Sequence, residues 1–395
     1  MEIWKKNLII CWVGMFITAV GTSQLAPILP LYINELGVHN TATVEFVAGL
    51  TFGGTFIVMA IFSPIWGKAA DKYGRKPMLL RASLGMTIVI GSLALVQNVY
   101  QLVFIRMLQG VISGYTTACT TLIATQVDKD NSGFALGTLA TSSIAGTLLG
   151  PSIGGYLSEL VGIRPMFVII AILMFIVFLT SLAFVKEEFV PVYDKVPGIK
   201  KIWESIPNTS FLATLFLTGF ILQLALYSIE PIITIYITQI SVTSTHIALI
   251  AGVVFSASGL ASMMSAPALG RISDRVGSEK VIFICLIVAA IVFIPQAFVN
   301  TPYQLMFLRF LLGLATAGLT PSISSLTKKN TPEEYVGRVF GIGTSCQYLG
   351  VFCGSLLGGF IAGSLGIRYI FYVTSGLLLI NSVIVYNFIY KKVSR

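Results

Sequence analysis

The chain has 395 residues, 55% of them hydrophobic and only 10% charged, with a formal net charge of +9. Soluble domains carry roughly 25% charged residues, so an ordinary water-facing globule is excluded. The five cysteines (Cys11, Cys119, Cys285, Cys346 and Cys353) fall in apolar stretches without metal-ligand spacing, which argues for packing residues and against disulfide or metal roles.

In chain order the sequence predicts twelve spans, near 8–33, 44–66, 78–97, 101–126, 134–158, 164–185, 210–238, 246–269, 281–299, 303–327, 336–362 and 368–390. Each is long enough to cross a hydrocarbon core of ~30 Å as a helix. Helices are required because unpaired backbone groups are too costly in lipid, and the period-two alternation of a barrel is absent. The first span lacks a small-residue cleavage site and is too long for a cleaved leader, so it is expected to remain as a helix. The one sizeable polar stretch, 186–208, separates a six-helix bundle at 1–185 from a second at 209–395. Within it, Lys195–Ser205 is expected to form a short amphipathic surface helix. The expected fold is an all-α polytopic membrane protein of two pseudo-symmetric bundles.

Placing the amino terminus inside puts 21 of the 25 lysines and arginines on the cytoplasmic side, leaving Arg164 and Arg368 outside and Arg106 and Arg309 within spans. This positive-inside bias predicts two cytoplasmic termini. The basic charge therefore reports topology and gives no reason to expect a nucleic-acid partner. Trp4, Trp12, Trp66 and Trp203 lie near the same boundary, where indole anchors belong.

The two halves repeat one another. Gly67, Asp71 and Gly74, followed by Arg75, recur as Gly270, Asp274 and Gly277, offset by 203 residues. Leu102, Arg106 and Gly110 recur as Leu305, Arg309 and Gly313. Gly146, Gly150, Gly154 and Gly155 recur at an offset of 204 as Gly350, Gly354, Gly358 and Gly359, with Ser355 where the first copy has Pro151. Matches at offsets of 203 and 204 residues, each in a corresponding span, imply an internal duplication of the kind transporters use. The paired glycines allow a tight reversal between spans. Asp71 is suited to accept amides at a helix start or to pair with a nearby arginine.

Glu230 is the one carboxylate read as lying well inside a span; Glu35, Glu45 and Glu159 are placed at outer boundaries. Ionised, Glu230 would attract a cation; protonated, it would be cheap to keep in the membrane. Gln223, Tyr227 and Glu230 fall at i, i+4 and i+7, so one helical face presents all three. Gln24, Tyr115, Thr116, Met263, Met264 and Gln347 complete an expected substrate lining of weakly polar and adaptable groups, although each also suits plain packing. No phosphate-binding loop is present, which removes direct ATP drive, and no nucleophile, base and acid cluster together. The sequence is therefore not read as an enzyme, and no cofactor is expected.

The stretch Gly67–Lys76 resembles the signature turn of the major facilitator superfamily, Gly-x-Leu-Ala-Asp-Arg-x-Gly-Arg-Lys, and two six-span halves fit that family along essentially the full length. Gly146-x3-Gly150-Pro151-x2-Gly154-Gly155 resembles the fifth helix of its twelve-helix drug:proton antiporter group, a pattern usually missing from uptake relatives. Leu102, Arg106, Gln109 and Gly110 match a family pattern that implies proton translocation for Arg106; snorkelling to the outer interface is the other reading. Quinolone-exporting relatives carry an acid near Glu230. The second turn departs from the signature at Ile272, Ser273 and Ser278, so Asp71 is expected to matter more than Asp274. The resemblance implies a monomeric exporter of lipophilic or cationic compounds in a bacterial plasma membrane, working by alternating access with the proton gradient as energy source. Export of an endogenous metabolite, peptide or lipid precursor, and proton-coupled nutrient uptake, remain as alternatives.

Overall fold

A computed structural model describes residues 3–187, 208–241, 246–332 and 335–390, without the side chains at 71, 129, 130, 132, 133 and 274. The expected surface helix at 195–205 lies outside the described residues, as do the side chains of Asp71 and Asp274. The described residues form helices joined by short turns, with no strand among them. In order these are α1 (Ile3–Ser23), α2 (Leu25–Glu35), α3 (Thr41–Tyr73), α4 (Arg75–Leu93), α5 (Val99–Ile112), α6 (Tyr115–Gln126), α7 (Lys129–Val161) and α8 (Ile163–Phe184). The second series is α9 (Thr209–Tyr227), a 3-10 turn at Glu230–Ile232, α10 (Ile233–Ile240), α11 (Ile247–Val276), α12 (Ser278–Gln296), α13 (Pro302–Thr316), α14 (Leu319–Lys329), α15 (Val336–Leu365) and α16 (Ile367–Val385).

Ten helical stretches among the described residues are long and apolar enough to cross a membrane. The other two expected spans, α4 and α7, have the length but are diluted, α4 by Arg75, Lys76 and Arg81 and α7 by glycine, serine and threonine. The first, fourth, seventh and tenth expected spans are each interrupted, at Gln24, at Ser113–Gly114, at Ser228–Ile232 and at Ala317–Gly318. Interrupted helices expose backbone groups that a continuous helix hides, and transporters place their sites there. Gly114 has φ +116°, a conformation that suits glycine and ends α5 abruptly.

Contacts divide the chain into two compact units. The first comprises residues 1–38, 57–194 and 245–256; the second comprises 39–56, 195–244 and 257–395. In the first, the hydroxyl of Tyr32 donates to the Leu93 carbonyl at 2.5 Å, and its ring lies 5.5 Å from that of Phe167. In the second, Tyr236 donates to the Gln296 carbonyl at 2.8 Å and stands 5.3 Å from Phe371. The same aromatic clamp is thus built twice from repeated residues.

The glycine stripes are also used twice. In the first unit Gly146, Gly150 and Gly154 of α7 lie bare against Phe16, Ala19, Val20, Ser23 and Gln24. In the second, Gly350, Gly354 and Gly358 of α15 lie against the backbone of Phe220, Leu224 and Ser228. Lipid is as apolar as leucine, so helices associate through this kind of close approach and dispersion rather than by hydrophobic exclusion. Pro151 sits within an uninterrupted α7, and its carbonyl faces Gly252 of α11; Ser152 and Ser256 share a hydrogen bond of 2.8 Å beside it.

Candidate functional site

The second unit carries the site that the sequence centred on Glu230. Pro231 has no amide hydrogen to donate and so weakens the helical ladder at the point where α9 ends. The chain instead turns at Ser228–Ile229, forms the short 3-10 segment, and restarts as α10. This break is held from two sides. Gly358 of α15 abuts the Ser228 carbonyl, and the Ser228 hydroxyl meets that of Thr374 on α16 at 2.9 Å.

Glu230 is half-buried at the break, and its nearest charged influence is Arg309 on α13, which is 5% exposed. The two interact electrostatically, while Nε and Nη2 of Arg309 have no hydrogen-bond partner among the described residues. A guanidinium at that depth requires a compensating charge, and Glu230 supplies it without closing a tight ion pair. Arg309 repeats Arg106 but has Leu312 where the first copy has Gln109, so the family pattern does not single it out. The available signal was depth: Arg309 and Glu230 are lone charges in corresponding parts of their spans.

Tyr227 also feels the charge of Glu230. Its ring belongs to a group of four, lying 5.9 Å from Phe52 and 6.0 Å from Phe56; Phe56 in turn lies 5.9 Å from Tyr348. Phe52 and Phe56 come from α3 and Tyr348 from α15. Aromatic faces beside a carboxylate form a surface that attracts a lipophilic cation through both its charge and its apolar body.

The other expected lining residues are distributed differently. Gln223 packs on Gly350, one helical face from Tyr227. Gln347 packs near Gly219 and lines a separate cavity of about 190 Å³ with Phe216, Thr320, Ser324 and Phe340. Met263 and Met264 are 50% and 64% exposed. In the first unit, Gln24 is fully buried beside Gly154, with both amide atoms unpartnered. Tyr115, read from the sequence as a cavity residue, is instead core: it packs among Cys11, Met15, Cys119 and Leu122, with Gly14 leaving room for its ring. Thr116, the next residue, is exposed.

Arg106 is buried and donates to Gln109, so it does not snorkel outward. The break below it is braced from neighbouring helices. Arg81 of α4 donates to the carbonyls of Ile112 and Ser113 at 3.2 and 2.7 Å, and its guanidinium lies 3.6 Å from the Trp66 ring centre. The Trp66 indole donates to the Val111 carbonyl at 2.6 Å. These donors satisfy carbonyls that the end of α5 leaves without a helical partner.

At the signature turn, Gly74 takes φ +96° and α4 begins with the amides of Arg75 and Lys76 unfilled by its own backbone. Those amides donate to the two carboxylate oxygens of Glu187, at 2.8 and 2.7 Å. Glu187 follows the sixth span, where Asn7 and Gln126 both donate to the Lys186 carbonyl at 2.7 Å. The sequence offers Asp71 for such a helix-start role, and its side chain lies outside the described residues; the two amides here are taken by Glu187, more than a hundred positions away. Gly67 and Gly270 lie within α3 and α11 with open space around them, and Gly277 (φ +109°) precedes α12. Glu187→Ala is expected to lower stability by about 1–2 kcal/mol, the usual loss for a capping carboxylate, read as a lower melting temperature of the purified protein.

A family model described as Major Facilitator Superfamily matches residues 11–243 and 215–395. The chain is 41% identical over 385 residues to the multidrug resistance protein MdtG of Salmonella typhimurium strain LT2, covering 97% of this chain and 95% of that one. Among solved structures, the human organic anion transporter MFSD10 (TETRAN) superposes with a TM-score of 0.73 at 17% identity, covering 98% of this chain and all of that one. A bacterial homologue of the human lysosomal transporter Spinster, inward-facing and occupied, gives 0.79 at 12% identity, with 98% and 97% covered. The duplicated, interrupted helices have their explanation in these likenesses: the chain belongs to the major facilitator superfamily and is a multi-pass membrane transporter for small molecules, not an enzyme.

Proposed function

We propose that the protein exports lipophilic cations in exchange for protons, with Glu230 binding either a proton or the cargo, and that it works as a monomer with both termini in the cytoplasm. The observation that carries this reading is the lone half-buried carboxylate at a helix break, faced by Arg309 and flanked by the rings of Phe52, Phe56, Tyr227 and Tyr348. Similarity to a multidrug resistance protein along nearly the whole chain supports an export direction and a broad substrate range.

In the empty ionised state Arg309 balances Glu230. A cation settling on the aromatic group takes over that balance, and its organic body replaces water against the rings. After release on the far side a proton neutralises the carboxyl, which lets the unloaded protein return. Exchange follows because one carboxylate accommodates one positive partner at a time. The proton gradient is then the only energy source required, and no cofactor takes part.

Purified protein in sealed proteoliposomes, given an imposed pH gradient and a panel of cationic dyes and quinolones, tests the reading. Gradient-driven accumulation of cations is expected; transport that ignores the gradient would remove the proton from the cycle. Tyr227→Ala is expected to weaken cation binding about 10-fold, equivalent to ~1.4 kcal/mol of lost ring contact. Binding of a neutral ligand of similar size should change less, and equal losses for both would deny the ring a charge-recognising role.

A further inference from the structure

At the end of α3 remote from the signature turn, the second unit holds a carboxylate that the transport site does not use. Sequence reading put Glu45 at an outer boundary, but its side chain is buried, at 2% exposed. The cause is backbone packing. Gly359 leaves space for the Glu45 carbonyl, and Gly363 does the same for Ala42, so the first turn of α3 lies flat on α15. Among the described residues the carboxylate makes no hydrogen bond or ion pair, and it opens on a cavity of about 420 Å³.

Arg368 and Tyr369 of α16, Gln239 of α10 and Thr41 form the exposed wall of the same cavity. Arg368 brings a positive charge to it without closing an ion pair on Glu45. The cavity therefore has an unpartnered carboxyl at its base and a guanidinium at its mouth. Its volume falls in the range of small-molecule sites.

The matching contact in the first unit also carries an acid, on the opposite one of its two helices, and that acid is satisfied. There, Glu159 of α7 accepts the Leu249 amide at 3.0 Å and pairs with His246 at 2.7 Å, so the helix contact satisfies its own carboxylate. The second unit has the same bare contact between helices but leaves its carboxylate unsatisfied beside a cavity. Burying an unpaired carboxylate is costly, and a proton, a water or a ligand with N–H donors relieves that cost.

We propose that this cavity binds a small zwitterion whose primary ammonium meets Glu45 and whose phosphate or carboxylate meets Arg368. A primary ammonium fits better than a quaternary one because Glu45 offers acceptors and lacks donors, and only N–H groups satisfy them. The head group of an aminophospholipid and a free solute of the same chemistry both qualify. The site is independent of Glu230 and does not rest on proton coupling.

The test uses the full chain in nanodiscs of phosphatidylcholine, with phosphoethanolamine titrated by calorimetry and phosphocholine as the control. Saturable phosphoethanolamine binding is expected in the wild type and in Glu230→Gln, at least tenfold weaker in Glu45→Gln and in Arg368→Gln. Phosphocholine should bind at least tenfold more weakly than phosphoethanolamine. Arg368 is exposed, so its variant remains informative if Glu45→Gln fails to fold. Repeating the titration in phosphatidylethanolamine nanodiscs identifies the source: competition by the bilayer marks a lipid site, and unchanged affinity marks a solute site. Absence of saturable binding to the wild type, or equal binding by the wild type and both site variants, would overturn the proposal.

Discussion

Glu230→Gln is expected to reach the membrane folded and yet export no cation in response to a proton gradient. Glutamine keeps the shape and hydrogen-bonding capacity of the side chain while removing the charge that both Arg309 and Tyr227 sense. Arg309 is then left buried without compensation. Removing one member of a fully buried pair costs about 3–5 kcal/mol, and the partial exposure of Glu230 reduces this to ~2 kcal/mol. A second substitution, Arg309→Leu, should recover much of that stability, because it removes the orphaned charge. It should not restore coupled export. Thermal melting and proteoliposome flux on the three variants separate the two roles. Full flux in Glu230→Gln would exclude this residue from coupling.

The second large effect is structural. Gly358→Val is expected to prevent accumulation of folded protein. A Cβ at Gly358 would run directly into the Ser228 carbonyl and its backbone neighbours, which have no flexible end to move aside. Valine adds two methyl groups to that clash, and overpacking of this kind costs about 1–3 kcal/mol or more. The damage would fall at the break in the seventh span, where Ser228 also holds Thr374. Gly341→Val is the matched control: it lies on the same helix in open space. Normal membrane levels for Gly358→Val would show that the close approach of α9 and α15 is dispensable.

These two positions also show what was legible before the structure. The glycine stripe was readable because its spacing repeats across both halves, and a periodic bare face has one physical use in lipid. Glu230 was readable because an acid inside an apolar run stands out. Phe52, Phe56 and Tyr348 were not, since the chain has 26 phenylalanines and 15 tyrosines and nothing local distinguishes rings that meet across helices. Tyr115 was misread because the space that Gly14 leaves for it comes from a helix a hundred residues away. Glu187 and Glu45 had the same difficulty in opposite senses. Glu187 stands at the edge of the polar stretch 186–208 and caps a helix; Glu45 is expected at a boundary and is buried against glycines of α15.

If cargo and proton compete for one carboxylate, a cation that binds must expel a proton. Tetraphenylphosphonium added to purified protein in weakly buffered detergent, near the pH at which Glu230 exchanges its proton, should release protons in step with cation bound. Glu230→Gln should release none. Cation binding by the wild type without proton release across the working pH range, or equal release from the variant, would contradict the account.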